Sequence, residues 1–163
     1  MEEIQIEKFQ KKDICEIIEL FYRTIESVNN QDYTKDQILA WQGKEHEAKR
    51  KREWSDKLRS SQTYLARNSK NQLVGFLEFT QLKELNLFFV HHDYQRKGIG
   101  KQLFLYLMKE LKKKSSEKIT ANVSITARPF FESLGFISIK EQVVQLNGQE
   151  FINYKMEKSL NKH

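Results

Sequence analysis

Gly98 and Gly100 stand one residue apart where the apolar run Leu85–Val90 passes into a helical pattern. The chain has only six glycines in 163 residues, and each one at a helix start gives up about 0.8–1.0 kcal/mol relative to alanine. The order of features around them leaves few folds open. A strand is followed by a turn carrying Arg96, Lys97 and Lys101, and then by a helix whose stripe is Ile99, Leu103, Leu107 and Leu111. The strand needs a sheet for that stripe to pack on. The turn offers unpaired N–H groups at the positive end of a helix, a cradle for anionic oxygen. A plain strand-to-helix turn that uses glycine for its dihedrals is the competing reading. Two familiar phosphate loops do not fit: Leu103 stands where the dinucleotide fingerprint needs a third glycine, and Gln102 follows Lys101 where the Walker loop needs Ser or Thr.

The rest of the chain agrees with a mixed sheet. "EIQIEKF" alternates as a strand, and Ile14, Ile17, Ile18, Phe21 and Ile25 mark one face of a helix. Cys15, among these residues, is expected to be buried. Thr34 is an N-cap for "KDQILAWQ". "KRKR" (49–52) reads as a nucleic-acid or targeting patch or as a solvated helix face, and the interleaved Glu45, Glu47 and Glu53 favour the second. "QTYLARN", "LVGFLEFT" and "LNLFFV" form an antiparallel meander. The next helix ends in Lys112–Lys114, favourable beside its negative end. "KITANVSI" is a strand, and "TARPFFESLGF" is a short helix with Thr126 as its cap and Gly135 as its stop. Asn147-Gly148 turns a final hairpin. The order β-α-α-β-β-β-α-β-α-β-β describes an α/β fold with helices packed on a mixed, mostly antiparallel sheet.

Length fits one domain, 1–163. A single cysteine excludes an internal disulfide. The acidic start lacks a signal-type apolar segment and no run is long enough to span a membrane, so a cytoplasmic protein is expected. The net charge of +6 suits a polyanionic cofactor, an acidic partner or simple solubility.

"LNLFFVHHDYQRKGIGKQLFLYLMKEL" resembles the acetyl-coenzyme A motif of the GNAT superfamily of N-acetyltransferases. Its Gln/Arg-x-x-Gly-x-Gly/Ala signature corresponds to Gln95, Arg96, Lys97, Gly98, Ile99 and Gly100. "FESLGF", Phe131–Phe136, is similar to the family's second segment, in the right order and at the right separation. The resemblance implies a GNAT-like fold, acetyl-CoA as co-substrate and a pyrophosphate held by the loop amides. It implies that backbone groups at Phe89 and Val90 pair with the pantetheine arm and that the Val90 N–H polarises the thioester carbonyl. It assigns Arg96, Lys97 and Lys101 to the phosphates. Two departures stand out: Phe131 replaces a Tyr that often protonates the thiolate, and Ser124 replaces a frequent Asn.

An acceptor amine must be neutral to attack, so a base is expected. Glu78, Glu84 and His91 are the candidates; Asn86 cannot serve. The acceptor pocket is expected from "SVNNQDYTKDQILAW", with Tyr33, Trp41 and Trp54 as walls and Asp32 attracting a cation. No metal is expected. The leading reading is an N-acetyltransferase acting on a small primary amine, as a monomer or homodimer. A non-catalytic acyl-CoA sensor and a basic nucleic-acid module are the competing classes.

Overall fold

A computed structural model describes residues 2–111 and 118–160; the basic run Lys112–Lys114 lies outside them. The elements follow in the order β1 (Gln5–Lys8), α1 (Ile14–Ser27), α2 (Lys35–Gln42), α3 (Glu47–Ser60), β2 (Gln62–Arg67), β3 (Leu73–Phe79) and β4 (Glu84–Val90). Then come α4 (Ile99–Leu111), β5 (Lys118–Ser124), α5 (Arg128–Ser133), β6 (Ile137–Leu146) and β7 (Gln149–Ser159). The seven strands lie in the order β1-β2-β3-β4-β5-β7-β6. Neighbours are antiparallel except β4 and β5, which run parallel. The mixed, mostly antiparallel α/β sheet is as expected, with three helices instead of two ahead of β2. The third is α3, whose buried residues are only Ser55 and Leu58. Its sequence shows almost no apolar stripe for that reason.

Helices cover both faces. The α4 stripe, Ile99, Leu103 and Leu107, packs with Val74, Leu77 and Ile119 on one side. On the other, Ile17 and Leu20 of α1 meet Leu58, Leu65 and Phe76. β3, covered on both faces, is buried along its whole length. β6 is the opposite case, an edge strand with Ile137 and Val143 about three-fifths exposed.

Local chemistry accounts for most element ends. Thr34 caps α2 as expected, in a capping box with Gln37 worth about 1 kcal/mol. α5 closes in a Schellman turn: Phe136 N–H reaches Phe131 O, Gly135 N–H reaches Glu132 O, and Gly135 takes φ +96°. At its other end the expected Thr126 cap is not formed. Ala127 is the capping residue; Ser124 Oγ accepts its N–H at 3.1 Å, and the Thr126 hydroxyl donates to Asp32 instead. Cys15 is exposed rather than buried. It lines up at four-residue spacing with Glu19 and Arg23 on the solvent side of α1, while Ile17, Ile18, Phe21 and Ile25 face inward.

Buried Arg67 ties β2 to the N-terminal elements. Its guanidinium donates to Glu7 (2.6 Å), Asp13 (3.0 Å) and Glu16 (3.0 Å), and hydrogen bonds to the two Glu residues push its pKa further up. In "KRKR", Lys49 and Lys51 pair with Glu53 and Glu47 one turn away. Arg50 instead lies over the rings of Phe21, Tyr22 and Trp54.

Candidate active site

The site is a seam in the sheet. β4 and β5 pair only at Glu84–Thr120 and Leu85–Ala121, and beyond those pairs the strands part. The cause sits in β4: Glu78 pairs with Leu87 and Phe79 with Leu85, so Asn86 is an extra, bulged residue. A bulge sharpens the strand's twist, and here it turns Leu87–Val90 away from β5. The seam opens into a cleft of about 980 Å³ lined by both strands, the 95–101 turn, α5 and the α1–α2 joint.

The β3–β4 ladder decides which backbone groups face this cleft. His91 N–H bonds to Val74 O, and Gly75 is the register partner of Val90. Gly75–Val90 is therefore a non-hydrogen-bonded pair, and by alternation so is Leu77–Phe88. The polar backbone groups of Val90 and Phe88 point into the seam, whereas those of Phe89 and Leu87 are used by β3. Phe89, one of the expected partners of an extended ligand, thus has its backbone engaged with β3 and contributes to the wall, while the Phe88 backbone faces the seam. Val90 O accepts from Gln95 Nε2 at 2.6 Å and Thr24 Oγ1 at 3.4 Å.

Beyond Val90 the turn alternates in handedness: Arg96 has φ +60° and Gly98 φ +82°, with Lys97 between them in the ordinary half of the map. Such alternation turns successive N–H groups toward one side as an anion nest. The first intrahelical bond of α4 runs from Gln102 N–H to Gly98 O, so the N–H groups of Ile99, Gly100 and Lys101 have no acceptor within the helix. The two glycines serve different ends. A Cβ on Gly98 would meet nothing within 4 Å, so that residue supplies the left-handed turn. A Cβ on Gly100 would lie 2.7 Å from Phe130 Cζ, so that residue admits a ring. Arg96 and Lys101 line the cleft, while Lys97 lies over the Tyr94 ring at 5.1 Å.

The other expected residues divide. Phe131, Ser124, Tyr33 and Trp41 line the cleft. Ser124 Oγ accepts from Asn29 as well as from Ala127. Tyr33 OH donates to Ile152 O and accepts from Ile125 N–H; burial pushes this phenol's pKa up. Asp32, held by Thr126, is exposed at the rim and is not part of the wall. Trp54 packs edge-on to Phe21 outside the cleft. Glu78 is fully buried behind the wall; it accepts from Ser61 Oγ (2.7 Å) and Asn86 Nδ2 (2.9 Å), with Lys57 Nζ at 3.6 Å. His91 also lies outside the wall, its Nδ1 accepting the Asp93 N–H. Burial and neighbouring His92 lower its pKa. Sequence reasoning missed Phe151, which completes an aromatic corner with Tyr33 and Trp41 at centroid distances of 5.4–6.0 Å. Phe151 comes from the far end of the chain, and its alternation with polar neighbours signals only a strand.

A sheet parted beside a glycine nest, with helices on both faces, is the arrangement of the GNAT acetyltransferases, and the chain belongs to that family: residues 29–158 match the acetyltransferase (GNAT) domain. Among relatives, it is 34% identical over 156 residues to the uncharacterized N-acetyltransferase YafP of Escherichia coli K12, covering 96% of each chain. Its fold is shared with a GCN5-related N-acetyltransferase from Rhodopseudomonas palustris, with a TM-score of 0.87, 24% identity and coverage of 96% of this chain and 95% of that one. It is also shared with the PaiA N-acetyltransferase of Thermoplasma acidophilum in complex with coenzyme A, with a TM-score of 0.72, 23% identity and coverage of 96% and 99%. Among the described residues no helix is long and apolar enough to cross a membrane.

Proposed function

We propose that this protein moves an acetyl group from acetyl-CoA to the primary amine of a small molecule by direct attack. One observation carries the reading: the seam beside β4 presents the Phe88 and Val90 amides and ends at the nest formed by Arg96–Lys101. An extended pantetheine arm fits such an unpaired strand edge, and a pyrophosphate fits the nest and the α4 terminus. The coenzyme A complex of PaiA supports the same ligand class. In this reading Gln95, Arg96, Gly98, Ile99, Gly100 and Lys101 hold the phosphates, and Phe131 walls the arm. The Val90 and Phe88 N–H groups hold the arm and polarise the thioester carbonyl, where a preorganised donor is worth about 2.7–4 kcal/mol of barrier.

The amine nitrogen attacks the carbonyl carbon, the C–N bond forms, the C–S bond breaks with its electron pair going to sulfur, and the nitrogen gives up its surplus proton to water in the open cleft. Phe131 has no proton to give. A thiol of pKa about 8.5 leaves tolerably as the thiolate without one, and the Ser124 hydroxyl is one of the donors in the wall. Glu78 acts on Asn86, fixing the bulge that opens the seam, rather than on the substrate.

Thiol release from acetyl-CoA over a panel of amines tests the reading. Turnover with at least one amine, and loss of coenzyme A affinity in Lys101→Glu and Arg96→Glu, are expected. A folded protein without affinity for coenzyme A would refute it. Phe131 supports the alternative of a non-catalytic acyl-CoA sensor. In that case Phe131→Tyr, expected here to change turnover only modestly, would be the sole form that turns over.

A further inference from the structure

The chemistry of the cleft wall restricts the acceptor. Among the described residues it contains no Asp, Glu or His side chain, and its only charged groups are Arg96 and Lys101. Both cations lie at the nest end. Glu78 stands behind Asn86 with both carboxylate oxygens engaged, and Asp32 is outside the wall and bonded to Thr126. The Tyr33 oxygen is already donating and accepting within the protein. The half of the cleft away from the nest is instead aromatic and amide in character. Tyr33, Trp41 and Phe151 meet there at interplanar angles of 48–76°, and Asn29 and Asn153 also line the cleft.

Two consequences follow for an amine entering this space. A polycation would bring several charges to a wall with no carboxylate to pair them, an arrangement that costs free energy. An ordinary alkylamine has a pKa near that of lysine, about 10.4, and is neutral in only about one molecule in 2,500 at pH 7. With no wall base to strip its proton, that fraction limits its rate.

We infer that the acceptor is an amine already neutral near pH 7, borne on a flat aromatic body that seats against Tyr33, Trp41 and Phe151. This inference rests on the acetyltransferase reading above. In an arylamine the nitrogen lone pair is shared with the ring, so no deprotonation precedes attack. Once that pair forms the C–N bond, the remaining N–H becomes strongly acidic and passes its proton to water in the open cleft. The C–S electron pair leaves with sulfur, and the products are the N-aryl acetamide and free coenzyme A.

The test compares 4-methoxyaniline, phenethylamine and spermidine as acceptors with saturating acetyl-CoA, at pH 6 to 9, and measures coenzyme A affinity separately by calorimetry. The expected result is kcat/KM at pH 7 at least 100-fold higher for 4-methoxyaniline than for the other two, with a profile nearly flat between pH 6 and 8. Trp41→Ala should raise the KM for 4-methoxyaniline about tenfold without changing coenzyme A affinity; if that variant does not fold, Phe151→Leu serves the same purpose. Preference for spermidine or phenethylamine, or no turnover of the arylamine, overturns the inference and leaves the acetyltransferase reading standing if coenzyme A binds. Absence of coenzyme A binding by the folded protein overturns both.

Discussion

Replacing Gly100 with alanine separates packing from turn geometry in the cofactor loop. The new Cβ would lie 2.7 Å from Phe130 Cζ, about 0.7 Å inside the 3.4 Å at which ordinary contact begins. The ring cannot simply swing aside. Phe88 meets it edge-on at 5.5 Å and Phe131 at 5.9 Å, and α5 carries it on one short, capped turn. Forcing a methyl into such a place costs about 1–3 kcal/mol. For a chain of this size each kcal/mol lowers Tm by about 2–4 °C, so a fall of about 2–12 °C is expected by calorimetry. The cause is isolated by a double-mutant cycle with Phe130→Ala. Without the ring, Gly100→Ala should become nearly free, giving a coupling energy close to the whole single-mutant cost. Gly98→Ala is the control: it pays about 1–2 kcal/mol for its left-handed φ, and that cost should persist when Phe130 is gone. If Gly100→Ala costs the same in both backgrounds, the assignment of Gly100 to the ring contact is wrong.

Other variants probe the remaining parts. Arg67→Ala leaves buried Asp13 without its cation and should lower stability by about 3–5 kcal/mol, read from urea unfolding; a loss below 1 kcal/mol would show that the cluster is dispensable. His91 titrates below its ordinary value in the fold because burial and His92 disfavour its charge. The unfolded chain therefore takes up the proton first, and the stability tied to neutral His91 is present above about pH 6.5 and lost as the pH falls below it. His91→Asn, whose side-chain oxygen can still accept the Asp93 N–H, should flatten the slope of Tm between pH 7 and 5; an unchanged slope would assign it to other groups. Exposed Cys15 should react with a thiol reagent in the native protein, and Cys15→Ala should keep its turnover; a folded but inactive variant would rule out direct transfer.

Features whose causes are close in sequence were legible in advance. Thr34 and Gln37 form a cap three residues apart, and Asn147-Gly148 adopts two positive φ angles, +47° and +81°, as its dipeptide demands. The nest was legible because its amides and cations belong to one heptad of chain. What the sequence hid depends on distant partners. The ring that requires Gly100 comes from position 130, and the Thr126 hydroxyl is drawn off by Asp32, ninety-four residues away in sequence, while Ser124 takes the Ala127 N–H. Glu78 looks like an available carboxylate until Ser61 and Asn86 fold around it. The bulge at Asn86 is a matter of register, to which alternating hydrophobicity is blind beyond its period. Cys15 was misplaced for a simpler reason: a neighbour of apolar residues on a helix points about 100° away from them.

The parted strands also give β4 two kinds of amide in alternation, with a consequence in time rather than space. Leu87 and Phe89 N–H groups are locked to β3, while those of Phe88 and Val90 have no partner strand. In deuterated water without ligand, the second pair should exchange early and the first pair only with wider opening of the sheet. A ligand bonded along the seam would act as a borrowed strand, slowing every other amide of β4 and leaving the rest as they were. That every-second-residue footprint would report the ligand's direction and depth before any chemistry is measured.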